Sequence, residues 1–243
     1  MEKDWKGKLA VITGASSGIG KAIALKLASE KMNLVLLSGT RLSNLESTKE
    51  LAIKYGVSVD IIPGDLTNNK WLDSAISEIN AKYKVDVLIN NAGVAHHTAF
   101  CDVSEEEFDK IMNINFKAPY FITKGLIENI RNSNRATIIN ICSVVGHLGY
   151  PMQSVYTASK HALLGFTKSL ANEEYKNGVR VHAISPGGVY TDMVKLSRPD
   201  LTQDGMTMPE DIAELVWFFL YMRGNAVVDE IIVHRATKQP FLV

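Results

Sequence analysis

Leu9-Ala10-Val11-Ile12-Thr13-Gly14-Ala15-Ser16-Ser17-Gly18-Ile19-Gly20-Lys21-Ala22-Ile23-Ala24-Leu25-Lys26-Leu27-Ala28 decides the fold. The first five residues are a continuous apolar run, the pattern of a strand covered on both faces. The last eight place small and aliphatic residues at helical spacing. Between them lies a turn with glycines spaced G-x-x-x-G-x-G. Glycine lets the backbone turn sharply and approach a pyrophosphate, and the helix N-terminus behind it offers unpaired N–H groups and partial positive charge. Glycines in a strand-to-helix turn can be purely structural, but the strand before and the helix after favour the phosphate reading.

Outward from this unit the pattern repeats. Further strands are expected at Leu34–Leu37, Val59–Ile62, Val85–Ile89, Thr137–Ile141, Val179–Ile184 and Glu230–Val233. Helical patterns fill 18–31, 41–55, 68–83, 104–131, 153–177 and 209–222, the last opening on Pro209, Glu210 and Asp211, which suit a helix start. Strands alternating with helices imply a parallel sheet with right-handed crossovers. The expected fold class is therefore α/β: a single domain over residues 1–243, a Rossmann-like doubly wound sheet of about seven parallel strands with helices on both faces. One long irregular stretch, about 190–208, reads as a short substrate lid.

The bulk properties narrow the function classes. With 26 basic and 26 acidic residues the formal net charge is zero, so no field of one sign draws in nucleic acid or an anionic membrane. The N-terminus is polar, and the apolar run Leu215–Met222 is far shorter than the ~20 residues of a spanning helix. Cys101 and Cys142 form no metal or redox spacing, and Cys142 reads as a buried thiol. The expectation is a cytoplasmic protein without nucleic-acid or membrane partners and without a metal site.

Tyr156 and Lys160 lie four apart, on one helix face. A phenol near pKa 10 is a poor acid–base catalyst at neutral pH, and a neighbouring ammonium is expected to lower it. Such a tyrosine can protonate the alkoxide formed when a carbonyl accepts a hydride. The spacing alone is common by chance; its weight comes from the set it belongs to.

Thr13-Gly14-x-x-x-Gly18-x-Gly20, Asp65, Asn90-Asn91-Ala92-Gly93, Asn115, Ser143, Tyr156-Thr157-Ala158-Ser159-Lys160 and Pro186-Gly187 follow one another in an order that resembles the short-chain dehydrogenase/reductase family, over nearly the whole chain. The resemblance implies a catalytic set of Asn115, Ser143, Tyr156 and Lys160. Ser143 would orient the carbonyl, and Asn115 would hold a water near Lys160, with Asn113 a competitor for that role. Cys142 stands where the family has a second serine, and Ala118 where it has a glycine.

The resemblance also implies a dinucleotide site. Gly14, Ser16, Ser17, Gly18, Ile19 and Gly20 would form its phosphate turn. Asp65 and Leu66 would meet the adenine, and Asn91, Ala92 and Gly93 the adenosine side. Pro186, Gly187, Val189 and Thr191 would hold the nicotinamide carboxamide, beside Tyr156 and Lys160. NAD enzymes usually carry an acid after the second strand, whereas this chain has Leu37-Ser38-Gly39-Thr40-Arg41. NADP is expected, with NAD the alternative, and Ser38, Thr40 and Arg41 are the candidates for a 2′-phosphate. The usual family arginine aligns nearer Thr40.

The expected function is hydride transfer between NADP(H) and the carbonyl or secondary alcohol of a small to medium substrate. One alternative is a 3-ketoacyl-carrier reductase, although the segment from Met208 to Ile232 departs from the glycine-rich ending of those enzymes and looks closer to sepiapterin-reductase-like members and to those acting on short hydroxy acids. Another is a catalytically silent NADP-sensing or scaffold protein. His96, His97, His147 and Tyr150 are candidates for the pocket wall. In the family the outer faces of helices 104–131 and 153–177 pair subunits, so a homodimer is expected and a homotetramer is the alternative.

Overall fold

In β1 (Leu9–Thr13), Ala10 and Ile12 enter one apolar layer and Val11 the other. The same division runs through β2 (Asn33–Ser38), where Leu34 and Leu36 face one way and Val35 and Leu37 the other. This is why these strands read as continuous apolar runs: both faces are covered. In the computed structural model, which describes residues 5–38, 42–197 and 202–238, seven parallel strands form one sheet in the order β3-β2-β1-β4-β5-β6-β7. The remaining strands are β3 (Val59–Pro63), β4 (Val87–Asn90), β5 (Thr137–Ile141), β6 (Arg180–Pro186) and β7 (Glu230–Val233).

Helices α1 (Gly18–Ser29), α2 (Leu42–Ile53) and α8 (Pro209–Tyr221) pack on one face. On the other lie α3 (Asn69–Lys82), α5 (Ala118–Arg131) and α6 (Ser154–Glu174), with α4 (Glu105–Met112) leading into α5. Arg131 ties α5 to α6 through a two-pronged contact with Glu174, Nε to Oε2 at 2.9 Å and Nη2 to Oε1 at 2.6 Å. No helix among the described residues is long and apolar enough to cross a membrane.

Two sequence expectations are corrected, and one feature goes beyond them. The helical pattern over 104–131 is broken by a π-helical turn, Asn113–Lys117, between α4 and α5. Pro119 supplies the reason: it lacks the N–H that would bond the Asn115 carbonyl, and its ring clashes with the carbonyl four residues back. The stretch 190–208 is not wholly irregular, because α7 (Asp192–Ser197) forms within it and a Val189–Thr207 bridge closes its base. The polar N-terminal segment contributes to the core: Trp5 is buried and donates Nε1 to Leu220 O at 3.2 Å.

His182 on β6 shows what the core demands of a titratable group. Its ring stacks on Phe219 of α8, with centroids 4.3 Å apart, and its Nδ1 donates to Val228 O at 2.7 Å. Nε2 has no hydrogen-bond partner among the described residues, and burial pushes the imidazole down to about 4. Between its ordinary value of 6.5 and that figure, only the unfolded chain takes up the proton. Stability from this group is therefore complete above pH 6.5 and is lost as pH falls toward 4. Denaturant unfolding at pH 4.5 should show wild type losing about 2–3 kcal/mol more, relative to pH 7, than His182→Phe. Equal losses in the two proteins would show that His182 does not titrate in this way.

Candidate active site

At the end of β1 the chain has almost no room. A Cβ on Gly20 would lie 2.3 Å from Gly14 O and 2.4 Å from Asn91 Nδ2. Gly14 has φ +68°, and a Cβ there would meet Ala92 Cα at 2.8 Å. The crowding arises because Thr13 and Asn91 join the ends of β1 and β4. Asn91 Nδ2 donates to Thr13 O at 3.0 Å, while the Asn91 and Ala92 amides donate to Thr13 Oγ1 at 3.0 and 3.1 Å. The Ser17 cap makes no side-chain bond to the first turn of α1, and that turn carries no acid. The amides at this helix end are thus suited to an anion.

This turn opens onto a crevice of about 390 Å³. Gly14, Ser16, Ser17, Gly18 and Ile19 form one wall, and Asp65, Leu66, Asn91, Ala92, Gly93 and Thr191 line the rest. Gly20 lies beneath, in the packed contact with Asn91. The carboxylate of Asp65 accepts from Thr67 N at 2.8 Å and so fixes its own turn. Lys110 and Ile114, which carried no sequence signal, also line the crevice, as do Asp192 and Met193 from the expected lid stretch. Thr40 and Arg41, and the side chain of Ser38, lie outside the described residues.

A narrower extension of about 100 Å³ joins the crevice to the second group of expected residues. Ile19, Asn91, Gly93, Thr191 and Met193 line both spaces, and Ser143, Tyr156, Lys160, Pro186, Gly187 and Val189 line the extension. Ser143 follows β5 and begins a short 3-10 turn, Val144–Gly146. Its Oγ donates to Pro186 O at 3.2 Å, accepts from Val145 N at 3.3 Å and interacts with the Tyr156 phenol. Lys160 is buried, with Nζ donating to Ile141 O at 2.9 Å and standing 5.8 Å from the Tyr156 ring centroid.

The expected lowering of Tyr156 by Lys160 is not what the geometry gives. Burial pushes the phenol above its ordinary value, with the Ser143 contact only partly offsetting it. Burial likewise pushes the Lys160 ammonium below its ordinary value. Desolvation is the largest influence on both, because each group has been taken from water to fill the same packed corner.

Asn115 occupies the π-helical turn and is fully buried. Its Oδ1 accepts from Val94 N at 2.8 Å, and its Nδ2 donates to Val94 O at 2.9 Å and Ser159 Oγ at 3.0 Å. Ser159 Oγ in turn donates to Tyr156 O at 2.7 Å. Asn115 thereby ties the loop after β4 to the helix that carries Tyr156, whereas the side chain of Asn113 is not buried.

Beyond Tyr156 lies a cleft of about 290 Å³ that shares Ser143, Tyr156, Gly187, Met193 and Val194 with the extension and is also lined by Tyr150, Gln153 and Gly188. Of the expected wall residues only Tyr150 lines it. His147 instead contacts Glu230, Nε2 to Oε1 at 2.6 Å, and His96 is buried behind Tyr156, whose backbone N–H donates to His96 Nε2 at 3.4 Å. His97 does not reach the cleft. His234, Arg235 and Lys238 do line it, and sequence reasoning missed them, because nothing in the order of residues after β7 signals which way they turn.

Comparison with known proteins gives concordant findings. A family model for short chain dehydrogenase matches residues 8–202. A 3-oxoacyl-[acyl-carrier-protein] reductase of Aquifex aeolicus is 31% identical over 96% of this chain and 97% of its own length. A 2-dehydro-3-deoxy-D-gluconate 5-dehydrogenase of Bacillus subtilis is 33% identical over 80% of this chain and 76% of its own. The structure is similar to that of an alcohol dehydrogenase from Thermococcus sibiricus complexed with 5-hydroxy-NADP, with a TM-score of 0.86, 26% identity, and coverage of 97% of this chain and 99% of the other.

The crowding at the glycine turn yields a direct test. Gly20→Ala should cost on the order of 3 kcal/mol, since the atoms it meets belong to backbone and to a bonded amide. Gly149→Ala, which meets nothing within 4 Å, serves as the reference and should be near neutral. Equal thermal stability of the two variants would show that the β1–β4 junction is looser than described.

Proposed function

The chain belongs to the short-chain dehydrogenase family, and we propose that it interconverts a carbonyl and a secondary alcohol with NADP(H), Tyr156 carrying the proton. The observation that carries this reading is the continuity of the phosphate-type crevice with the Ser143–Tyr156–Lys160 corner, through shared walls at Ile19, Asn91, Gly93 and Thr191. The residues present fit a dinucleotide: a helix end with no acid in its first turn and no side-chain cap bond, Gly18 where a Cβ would crowd Thr191 across the crevice, and the glycine-containing loop Pro186–Thr191 along the extension. When bound, the dinucleotide supplies or accepts the hydride at the substrate carbon.

The chain does the rest. Ser143 Oγ, placed between Pro186 O and the phenol, can turn its hydrogen onto the substrate oxygen. Tyr156 O–H gives that oxygen its proton as the carbonyl carbon gains the hydride; in the reverse direction the phenolate takes the proton back. A charged Lys160 stabilises the phenolate across the corner, and Asn115 holds the backbone from which both project. Met193 and Val194, on the segment closed at its base by the Val189–Thr207 bridge, support reading 190–208 as a lid over the cleft.

The raised phenol gives this mechanism a direction in pH. Tyr156 stays protonated at neutral pH, the state that reduction requires, so kcat/KM for reduction should be flat there and fall only in strong alkali. Oxidation requires the phenolate, so its rate should climb with pH. Tyr156→Phe should lower both by about 10²–10⁴-fold while NADPH still binds. A variant that keeps most of the rate, or oxidation indifferent to pH, would show that another group moves the proton.

The preference for NADP rests on the absence of an acid in Ser38-Gly39-Thr40-Arg41. Arg41→Ala should lower the NADP/NAD ratio of kcat/KM by about tenfold or more and leave the NAD value nearly unmoved. An equal loss for both cofactors would place Arg41 in the fold rather than on the 2′-phosphate.

A further inference from the structure

Beyond β7 the chain turns back over the substrate cleft, and three basic residues from that turn face it. His234, Arg235 and Lys238 line the same space as Ser143 and Tyr156, and no aspartate or glutamate among the described residues does. The nearby acids are engaged elsewhere. Glu230 accepts from Ser185 Oγ at 2.6 Å and meets His147, and Asp192 lines the dinucleotide crevice.

Arg235 is held firmly yet bonded weakly. Its stem crosses Gly188, where a Cβ would come within 3.6 Å of Arg235 Cδ and 3.8 Å of Nε. Nη1 donates to Met206 Sδ at 3.3 Å, the one side-chain hydrogen bond of its guanidinium among the described residues. A thioether is a weak acceptor, while the guanidinium offers five donors in a planar fork. Among the described residues no carboxylate pairs with Arg235 or Lys238; Lys238 Nζ stands over the Tyr150 ring and reaches its hydroxyl at 3.5 Å.

The turn is also fixed relative to the reaction corner. Lys238 N donates to Arg235 O at 2.9 Å, and Gly187 N donates to Val233 O at 2.8 Å, so β7 and the loop beside Tyr156 are joined just before the basic residues. A substrate oxygen at Tyr156 and an anionic group at Arg235 can therefore occupy one small cleft together.

We propose that Arg235, seconded by Lys238, forms an anion subsite that selects carbonyl or hydroxy substrates bearing a carboxylate. The inference rests on the reading of Tyr156 as the proton carrier only for where the reacting carbon sits. The cleft's volume of about 290 Å³ suits a small acid. The planar fork pairs with a planar carboxylate through two parallel, charge-assisted bonds, which Met206 cannot rival.

Two measurements on the protein loaded with NADPH or NADP test this separately from the proposed reaction. The first compares kcat/KM for reduction of acetoacetate and of acetoacetamide, its neutral counterpart. Wild type should favour the acid by tenfold or more, chiefly through KM. Arg235→Met, which keeps the stem and its packing, should erase that ratio, and Arg235→Lys should restore part of it. The second titrates butyrate, butyramide and inorganic phosphate into the NADP-bound protein by calorimetry. Butyrate should bind at least tenfold more tightly than butyramide or phosphate, and Arg235→Met should remove the difference. Equal use and equal binding of acid and amide would overturn the subsite while leaving the dehydrogenase reading intact, as would a preference unmoved by Arg235→Met or tighter binding of phosphate. Arg235-dependent butyrate binding without reduction of either ketone would support the subsite and overturn the proposed reaction.

Discussion

The structure turns on the close approach of three backbones where β1, β4 and the start of α1 meet. Gly14 and Gly20 leave no space for a side chain, and Asn91 and Thr13 fill the gap with hydrogen bonds. The order β3-β2-β1-β4 reverses direction at this point, and loops leaving the carboxyl ends of β1 and β4 diverge to opposite faces of the sheet. A crevice must open there, and an open parallel sheet binds ligands in such a crevice. The α1 N-terminus sits at its edge because the β1–α1 turn is too tight to put it anywhere else.

The chemistry of the second corner is set by packing as much as by charge. Lys160 is buried with its Nζ on the Ile141 carbonyl, and Tyr156 is raised rather than lowered by its surroundings. Burial disfavours the charged form of each group, so the phenol is pushed up and the ammonium down by the same packed surroundings. Asn115 belongs to this corner mechanically. Its amide is spent on Val94 and Ser159, so the π-helical turn acts as a brace between the crevice wall and the helix bearing the tyrosine. Helical π-turns recur at functional sites, where one extra residue re-aims a side chain that a regular helix would direct elsewhere.

Much of this was legible in the order of residues. The glycine turn, the seven strands and the serine–tyrosine–lysine set are local patterns or family motifs, and short-range chemistry writes them into the chain. The features that the order of residues does not carry depend on contacts between distant segments. Trp5 reads as part of a polar tail, yet it meets Leu220 on α8, 215 residues away. The split of the 104–131 helix was encoded locally by Pro119, but the run of apolar residues around it masked the break. His147 reads as a wall residue, but its ring is held by Glu230, 83 residues away. Arg235 and Lys238 face the cleft only because β7 pairs with β6 and carries them there. Nothing within a few residues of them foretells that direction.

The central claim is that crevice and corner form one continuous binding surface, ordered by the glycine junction. A crystal structure of the protein grown with NADPH tests it most directly. The account predicts the pyrophosphate against the backbone amides at the start of α1 and the nicotinamide ring in the narrow extension, facing the Tyr156 hydroxyl. A dinucleotide bound elsewhere, or one whose nicotinamide ring points away from Tyr156, would contradict it.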